Sequence, residues 1–170
     1  MKKLALLSII TIFLFSCSKK TDAGPQQNCT YDSCSLKAPA SEIQAVQTYL
    51  TSNNITATQH CSGLFYQIET PGTGTITPTV CSYVTVKYVG KLTNGSIFDQ
   101  TQGAATYAQY LGNLVRGWAN GIPYVKSGGK IRLYIPPTLG YGASDQVRSG
   151  VVVIPGNSIL IFEIELVNVQ

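Results

Sequence analysis

From Leu64 to its end, the chain sets apolar side chains at every second residue in four separate runs. They are Leu64, Tyr66, Ile68; Val84, Val86, Tyr88; Ile131, Leu133, Ile135; and Leu160, Phe162, Ile164, Leu166. A period of two puts one set of side chains on one face of a strand. Each run therefore predicts a half-buried strand, with Thr85, Lys87, Glu163 and Glu165 among the residues facing the other way. Two shorter segments extend the count. Asn94-Gly95 is a two-residue hairpin signal, Ile97-Phe98 opens the return strand and Asp99 ends it. Thr106 to Leu111 reads as a short continuing strand. Pro136-Pro137 closes the third run, because neither residue donates to a ladder. Five or six strands joined by hairpins and loops predict a mainly antiparallel sheet.

A sheet with one apolar face needs a cover. Within the strand region the one helical candidate runs from Leu114-Val115-Arg116-Gly117-Trp118 to Ile122 and carries the only tryptophan in the sequence. Its spacing puts Leu114, Trp118 and Ile122 on one face, and Pro123 is expected to cut it short. Gly117 would let it sit close to the sheet. The expected class is α+β: a five- to six-stranded antiparallel sheet wrapped around a short helix, with an N-terminal amphipathic helix added. That second helix is expected to open at Ser41, a good N-cap, with Glu42 in its positive first turn. Ile43, Val46, Tyr49 and Leu50 share a face, and Ser52-Asn53-Asn54 stops it. A helix this short is not stable alone, so it must dock on its own domain or on a second copy, and docking is expected.

The amino terminus reads as an export signal. Lys2 and Lys3 precede an apolar run from Leu4 to Phe15. The run is shorter than the roughly 20 residues of a spanning helix and fits a secretory core. It ends in Leu14-Phe15-Ser16-Cys17, which resembles the processing box of bacterial lipoproteins. The expected organisation is a signal peptide at 1–16, a lipidated tether at 17–40 beginning with Cys17, a helical extension at 41–62 and a main domain at 63–170. Acyl chains on Cys17, at roughly 0.8 kcal/mol per buried CH₂, would anchor the protein to a membrane. The location expected is the bacterial cell envelope, at its periplasmic or outer-membrane face. The formal net charge is +4; loss of Lys2 and Lys3 makes it 4 − 2 = +2, which gives no basis for nucleic-acid binding.

Four further cysteines, Cys29, Cys34, Cys61 and Cys81, make an even set in an exported chain and are expected to pair, with three connectivities open. Cys29, Cys34 and His60-Cys61 fit no standard structural zinc spacing, and no metal is assigned. The chain's single His stands in the extension, and there is no CxxC, no Ser/His/Asp set and no close carboxylate pair in the motif-bearing stretches. Covalent, metal and classical acid–base hydrolysis are thus poorly supported, and no cofactor is implied. What stands out instead is a set of aromatics at strand ends and loop bases. Tyr88, Phe98, Tyr107, Trp118, Tyr141 and Phe162 accompany Asp99, as in an apolar pocket with few polar groups.

The order of these motifs resembles the FKBP-type peptidyl-prolyl isomerases. Tyr83-Val-Thr-Val-Lys-Tyr88-Val-Gly90 is followed by Gly95-Ser-Ile-Phe98-Asp99, then by Leu114-Val-Arg-Gly-Trp118-Ala-Asn-Gly121. Ile135-Pro136, Leu139-Gly-Tyr141-Gly142, Ile154-Pro155-Gly156 and Leu160-Ile-Phe162-Glu-Ile-Glu-Leu166 complete the series. The resemblance spans 63–170. It implies a site in which Trp118 is the floor under a prolyl ring, lined by Tyr88, Phe98, Leu114, Val115 and Phe162. It also implies that Asp99 and Tyr141 give polar contacts, that the Val115 amide holds a substrate carbonyl, and that Val153 and Ile154 form part of a flap. Proline-containing polypeptides are the implied substrates, and macrolides of the kind that inhibit the family are possible ligands. The sequence departs from the family pattern in places. Tyr107 stands where Phe is common, Gln109 where an apolar residue is frequent, and the loop after Asp99 lacks an arginine to pair with the acid. The polar stretch from Ser144 to Gly150 carries Arg148.

Overall fold

The computed structural model describes residues 29–170. The signal segment, Cys17 and most of the tether lie outside the described residues. In chain order the elements are α1 (Ala40–Ser52), β1 (Thr58–Gln59), β2 (Phe65–Thr70), β3 (Tyr83–Leu92), β4 (Ile97–Gln100), β5 (Tyr107–Tyr110), α2 (Arg116–Gly121), β6 (Gly129–Ile135), β7 (Gln146–Arg148), β8 (Val151–Ile154) and β9 (Leu160–Val169). Seven strands form one sheet in the order β1-β2-β6-β9-β3-β4, with β5 also paired to β3. All pairings are antiparallel. β7 and β8 form a separate hairpin, where the sequence predicts only a polar loop and a returning apolar run. Among the described residues no helix is long and apolar enough to cross a membrane.

The alternating runs build the inner face, except at Ile68, where β2 runs out into solvent and the side chain is 42% exposed. Val84, Val86, Ile131, Leu133, Ile135, Leu160, Phe162, Ile164 and Leu166 are buried in one cluster with Trp118 and Ile122 of the α2 region. The helix lies close because Gly117 has no side chain. A Cβ there would come within 2.5–2.7 Å of three Ile135 side-chain carbons. The α-helix ends at Gly121, two residues before Pro123, so the proline cuts it short as expected. Pro123 itself sits inside a 3₁₀ turn, Ile122–Tyr124, that follows α2. Proline is tolerated near the start of such a turn, where its missing N–H has no partner to lose.

The outer face is covered as well. Val46 and Leu50 of α1 are buried against Phe65, Tyr134 and Ile161, residues that alternation alone turns toward solvent. The amphipathic helix therefore docks on its own domain. Glu42 fastens its first turn, accepting hydrogen bonds from the Thr138 amide and hydroxyl, both at 2.8 Å. The N-cap is Pro39, with no side-chain cap bond, not Ser41. The amides of Glu42 and Ile43 both reach the Pro39 carbonyl, so the helix begins two residues earlier than its serine implies. The rest of the outer face carries exposed ion pairs: Lys91–Glu163 at 3.0 Å, Arg132–Glu69 at 2.8 Å and Lys130–Glu165 at 3.6 Å. Pairs this exposed contribute little to stability.

Two local expectations change. Asn94-Gly95 does not close a two-residue hairpin. Leu92 N–H bonds Ser96 O, and Gly95 N–H bonds Leu92 O, so the loop has three residues, with Gly95 at φ +86°. This is a tight turn followed by a left-handed glycine, the common three-residue alternative. The cysteines pair as Cys29–Cys81 and Cys34–Cys61. Cys29–Cys81 ties the segment before α1 to the chain just ahead of β3, and Cys34–Cys61 ties it to the turn between β1 and β2.

Leu50 is 5% exposed and lies wholly within the α1 interface. Leu50→Ala is expected to lower the unfolding free energy by about 2–5 kcal/mol, read from urea denaturation with disulfides intact. An unchanged midpoint would mean that α1 does not dock in solution.

Candidate functional site

One cavity of about 160 Å³ opens on the inner face, lined by Tyr88, Phe98, Asp99, Tyr107, Leu114, Val115, Trp118, Tyr141 and Phe162. It is smaller than the roughly 300–1,000 Å³ typical of drug-sized ligand sites, and so suits one ring or side chain. Its walls come from six directions. β3 supplies Tyr88, β4 supplies Phe98 and Asp99, β5 supplies Tyr107, β9 supplies Phe162, and the entry to α2 supplies Leu114, Val115 and Trp118. Tyr141 reaches in from the turn after β6. Val153 and Ile154 do not line the cavity. Ile154 is buried in the main core, and Val153 is half-buried against it.

The rings pack edge to face. Trp118 and Phe162 have centroids 5.1 Å apart at 89°, Tyr88 and Trp118 5.2 Å at 80°, and Phe98 and Phe162 5.4 Å at 86°. Such contacts place positive ring edges on negative faces and add to the burial energy. Trp118 is 4% exposed, so only part of the indole meets the cavity. Its Nε1–H finds no acceptor among the described residues. Gly90 makes the arrangement possible. It pairs with Asp99 on one side and Phe162 on the other. A Cβ at Gly90 would stand 2.6 Å from the Phe98 ring and 2.9 Å from Phe162. Sequence reasoning noted Gly90 only as part of a motif. The available signal was a glycine inside a strand, which marks close approach.

The polar side is sparse. Tyr88 donates its hydroxyl to Asp99 Oδ2 at 2.7 Å, and Gln100 N–H donates to Asp99 Oδ1 at 3.1 Å. Burial pushes the Tyr88 hydroxyl well above the usual tyrosine range, and the hydrogen bond to Asp99 and its charge push it further. Burial also raises Tyr141, with the charge of Asp99 adding to it. Both phenols therefore stay protonated donors through the neutral range. The arginine missing after Asp99 has a substitute from elsewhere in the chain. Arg148 Nη2, on β7, stands 3.8 Å from Asp99 Oδ1. The Val115 amide sits at the N-terminal entrance of α2, where the first amides of a helix have no intrahelical acceptor. The pocket residues include no nucleophile with an adjacent base. The arrangement can hold a ring in a dry aromatic box and offer hydrogen-bond donors at its rim.

A family model described as FKBP-type peptidyl-prolyl cis-trans isomerase matches residues 74–167. The chain belongs to this family. It is 43% identical over 110 residues to the FKBP-type peptidyl-prolyl cis-trans isomerase FkpA of Buchnera aphidicola subsp. Schizaphis graminum, covering 64% of this chain and 42% of that one. It is 39% identical over 111 residues to FK506-binding protein 1A of Aspergillus fumigatus, covering 64% of this chain and 96% of that one. The chain thus spans less than half the length of several curated FkpA relatives. The crystal structure of FkpA from Escherichia coli superposes with a TM-score of 0.65 at 33% identity, over 77% of this chain and 60% of that one. The FKBP-type sheet around a short helix is thereby the architecture of this protein.

The raised Tyr88 hydroxyl has a consequence at alkaline pH. The protonated form is favoured in the fold, so its contribution is complete below the ordinary tyrosine value near 10 and is lost as pH rises toward the higher folded value. Unfolding free energy is expected to fall above about pH 10, and Tyr88→Phe should remove part of that fall. In a spectrophotometric titration of the ten tyrosines, Tyr88→Phe should delete ionisation only at the alkaline end. Loss of signal near the ordinary value would contradict the assignment.

Proposed function

We propose that this protein is a peptidyl-prolyl cis-trans isomerase that accelerates X–Pro rotation in exported polypeptides. The observation that carries the reading is the convergence of nine residues on one small aromatic box whose floor is Trp118. Tyr88, Phe98, Asp99, Trp118, Tyr141 and Phe162 act on the reacting amide. Tyr107, Leu114 and Val115 hold the flanking chain. Macrolides that occupy such pockets are proposed as competitive ligands.

The chemistry needs no nucleophile. X–Pro rotation is slow because amide resonance sets a barrier of about 18–20 kcal/mol. Resonance draws negative charge onto oxygen, where water stabilises it. In the box that water is gone, and the planar, charge-separated ground state loses more than the twisted transition state does. The prolyl ring rests on the Trp118 indole, and the Val115 amide holds a substrate carbonyl in place. The Tyr141 hydroxyl and the Asp99–Tyr88 pair offer polar contacts near the twisting bond. A millionfold acceleration requires about 8 kcal/mol of such differential stabilisation.

The reading extends to location. Residues 1–16 act as a signal peptide, and Cys17 carries lipid that holds the protein on the bacterial cell envelope, at its periplasmic or outer-membrane face. The chain from 17 to 40 then spaces the domain from the bilayer. Proline-containing chains emerging in that compartment are the substrates.

Two measurements test this. Cis/trans exchange of a short X–Pro peptide, followed by NMR, should run well above the spontaneous rate. It should fall at least about tenfold, or roughly 1.4 kcal/mol, in Trp118→Ala and less in Asp99→Ala, with β-sheet circular dichroism retained. Peptide binding without exchange would make the protein a holding module instead. Separately, Cys17→Ala should move the protein from the membrane to the soluble fraction. Unchanged membrane attachment would refute the anchor.

A further inference from the structure

The stretch from Ser144 to Gly150 reads as a polar loop, yet it builds most of the β7–β8 hairpin beside the cavity. Ser149 and Gly150 both hold positive φ, +51° and +80°. Two such residues in a row make the tight turn whose twist matches its strands. They pin the register so that Arg148 stands opposite Val151. The base of the hairpin is tied as well. Asp145 Oδ1 accepts the Gly156 N–H at 2.7 Å, and the Asn157 N–H reaches the Gly142 carbonyl at 2.8 Å. Arg148 is therefore carried on a short arm fixed at both ends.

Its guanidinium meets the rim of the cavity. Nη2 lies 3.8 Å from Oδ1 of Asp99, a residue of the lining, and the Arg148 side chain is 63% exposed against 40% for Asp99. Among the described residues it is the only basic side chain ion-paired to the lining. Its charge also acts on the Tyr141 hydroxyl, opposing the rise that burial and Asp99 impose. The two partners are not equally satisfied. Asp99 takes the Tyr88 hydroxyl on Oδ2 and the Gln100 N–H on Oδ1. Arg148 has five N–H donors in a planar fork. Among the described residues they find this one distant carboxylate and no hydrogen bond. The surplus at the rim is thus of donors and positive charge, and it lies outermost, where an incoming chain arrives first.

We infer that Arg148 makes this protein select an acidic residue immediately before proline, by pairing its guanidinium with the carboxylate of that residue. The inference rests on the isomerase reading. With the prolyl ring on Trp118, Asp99 and Tyr141 lie near the twisting amide. The other side of that amide is the preceding residue, so its side chain comes within reach of Arg148. A glutamate there offers two oxygens to a fork that matches carboxylate geometry. A lysine meets like charge before it reaches Asp99. Glutamine has nearly the same shape without the charge, so it isolates the electrostatic part. The pair forms at an exposed rim, which keeps the preference modest.

The test measures X–Pro exchange by NMR with the full chain and four short peptides that differ only in X: Glu, Gln, Leu and Lys. The value of kcat/KM should be about two- to fivefold higher for Glu than for Gln, and lowest for Lys. The Glu-to-Gln ratio should shrink toward one at about 1 M salt, where the screening length is ~3 Å. Arg148→Lys should keep a ratio above one, Arg148→Gln should bring it to one, and Arg148→Glu should place Lys above Glu. Each ratio is taken within one variant, so a general change in activity cancels. Turnover of the Leu peptide with no preference for Glu over Gln would overturn the inference and leave the isomerase reading standing. So would a Glu-to-Gln ratio that Arg148→Glu does not move. A fall that Arg148→Gln imposes equally on all four peptides would overturn it too, since Arg148 would then act only through Asp99. Exchange of none of the four would refute the isomerase reading and this inference with it.

Discussion

The indole of Trp118 reaches the pocket because α2 lies against β6 with almost nothing between them. Gly117 and Gly121 are the points of contact. A Cβ on either would stand 2.5 Å from a side-chain carbon, of Ile135 in the first case and of Leu133 in the second. Overpacking of that kind in a core costs about 1–3 kcal/mol, and here it would also lift the helix. Every other wall of the pocket assumes that floor. Phe162 meets the indole from β9 and Tyr88 meets it from β3, both edge-on. Gly90 keeps a parallel clearance for Phe98 and Phe162. The box is thus defined by three absent side chains as much as by the rings present.

The same economy governs its polar side. Tyr88 and Asp99 satisfy each other at 2.7 Å, so the acid is held without a buried arginine beside it. Arg148 approaches only at 3.8 Å and is largely exposed, and an ion pair of that kind is weak. The site therefore spends little stability on charge. What it offers is an apolar enclosure with a few donors at the rim, as rotation about an amide requires and as bond-breaking chemistry does not.

Much of this was legible in the residues. The period-two runs named the inner face, and the single short helix carrying Trp118 was the only internal cover for it. Nine of the eleven residues assigned to the site line the cavity. What escaped was set by contacts far away in sequence. Phe65, Tyr134 and Ile161 alternate outward on their strands, yet they are buried, because α1 from another part of the chain lies over them. No local pattern reports that. The β7–β8 hairpin was hidden because its outer valines are exposed and its pairing spans only three or four residues. Val153 and Ile154, placed by motif order in a flap beside the pocket, stand outside the cavity lining on β8, with Ile154 buried in the core and Val153 half-buried against it. Asn94-Gly95 permits more than one turn, and the flanking ladder chose a three-residue loop. The cysteine pairing needed distances that no spacing supplies.

The single tryptophan makes the central claim directly measurable, since all indole emission from this chain comes from Trp118. Titrating a proline-containing peptide while recording that emission, and measuring X–Pro exchange across the same concentrations, compares occupancy of the floor with turnover. If the prolyl ring rests on the indole during rotation, the emission change and the exchange rate saturate together at one peptide concentration. Saturable exchange with no change in Trp118 emission would place the reaction elsewhere on the protein and contradict the account.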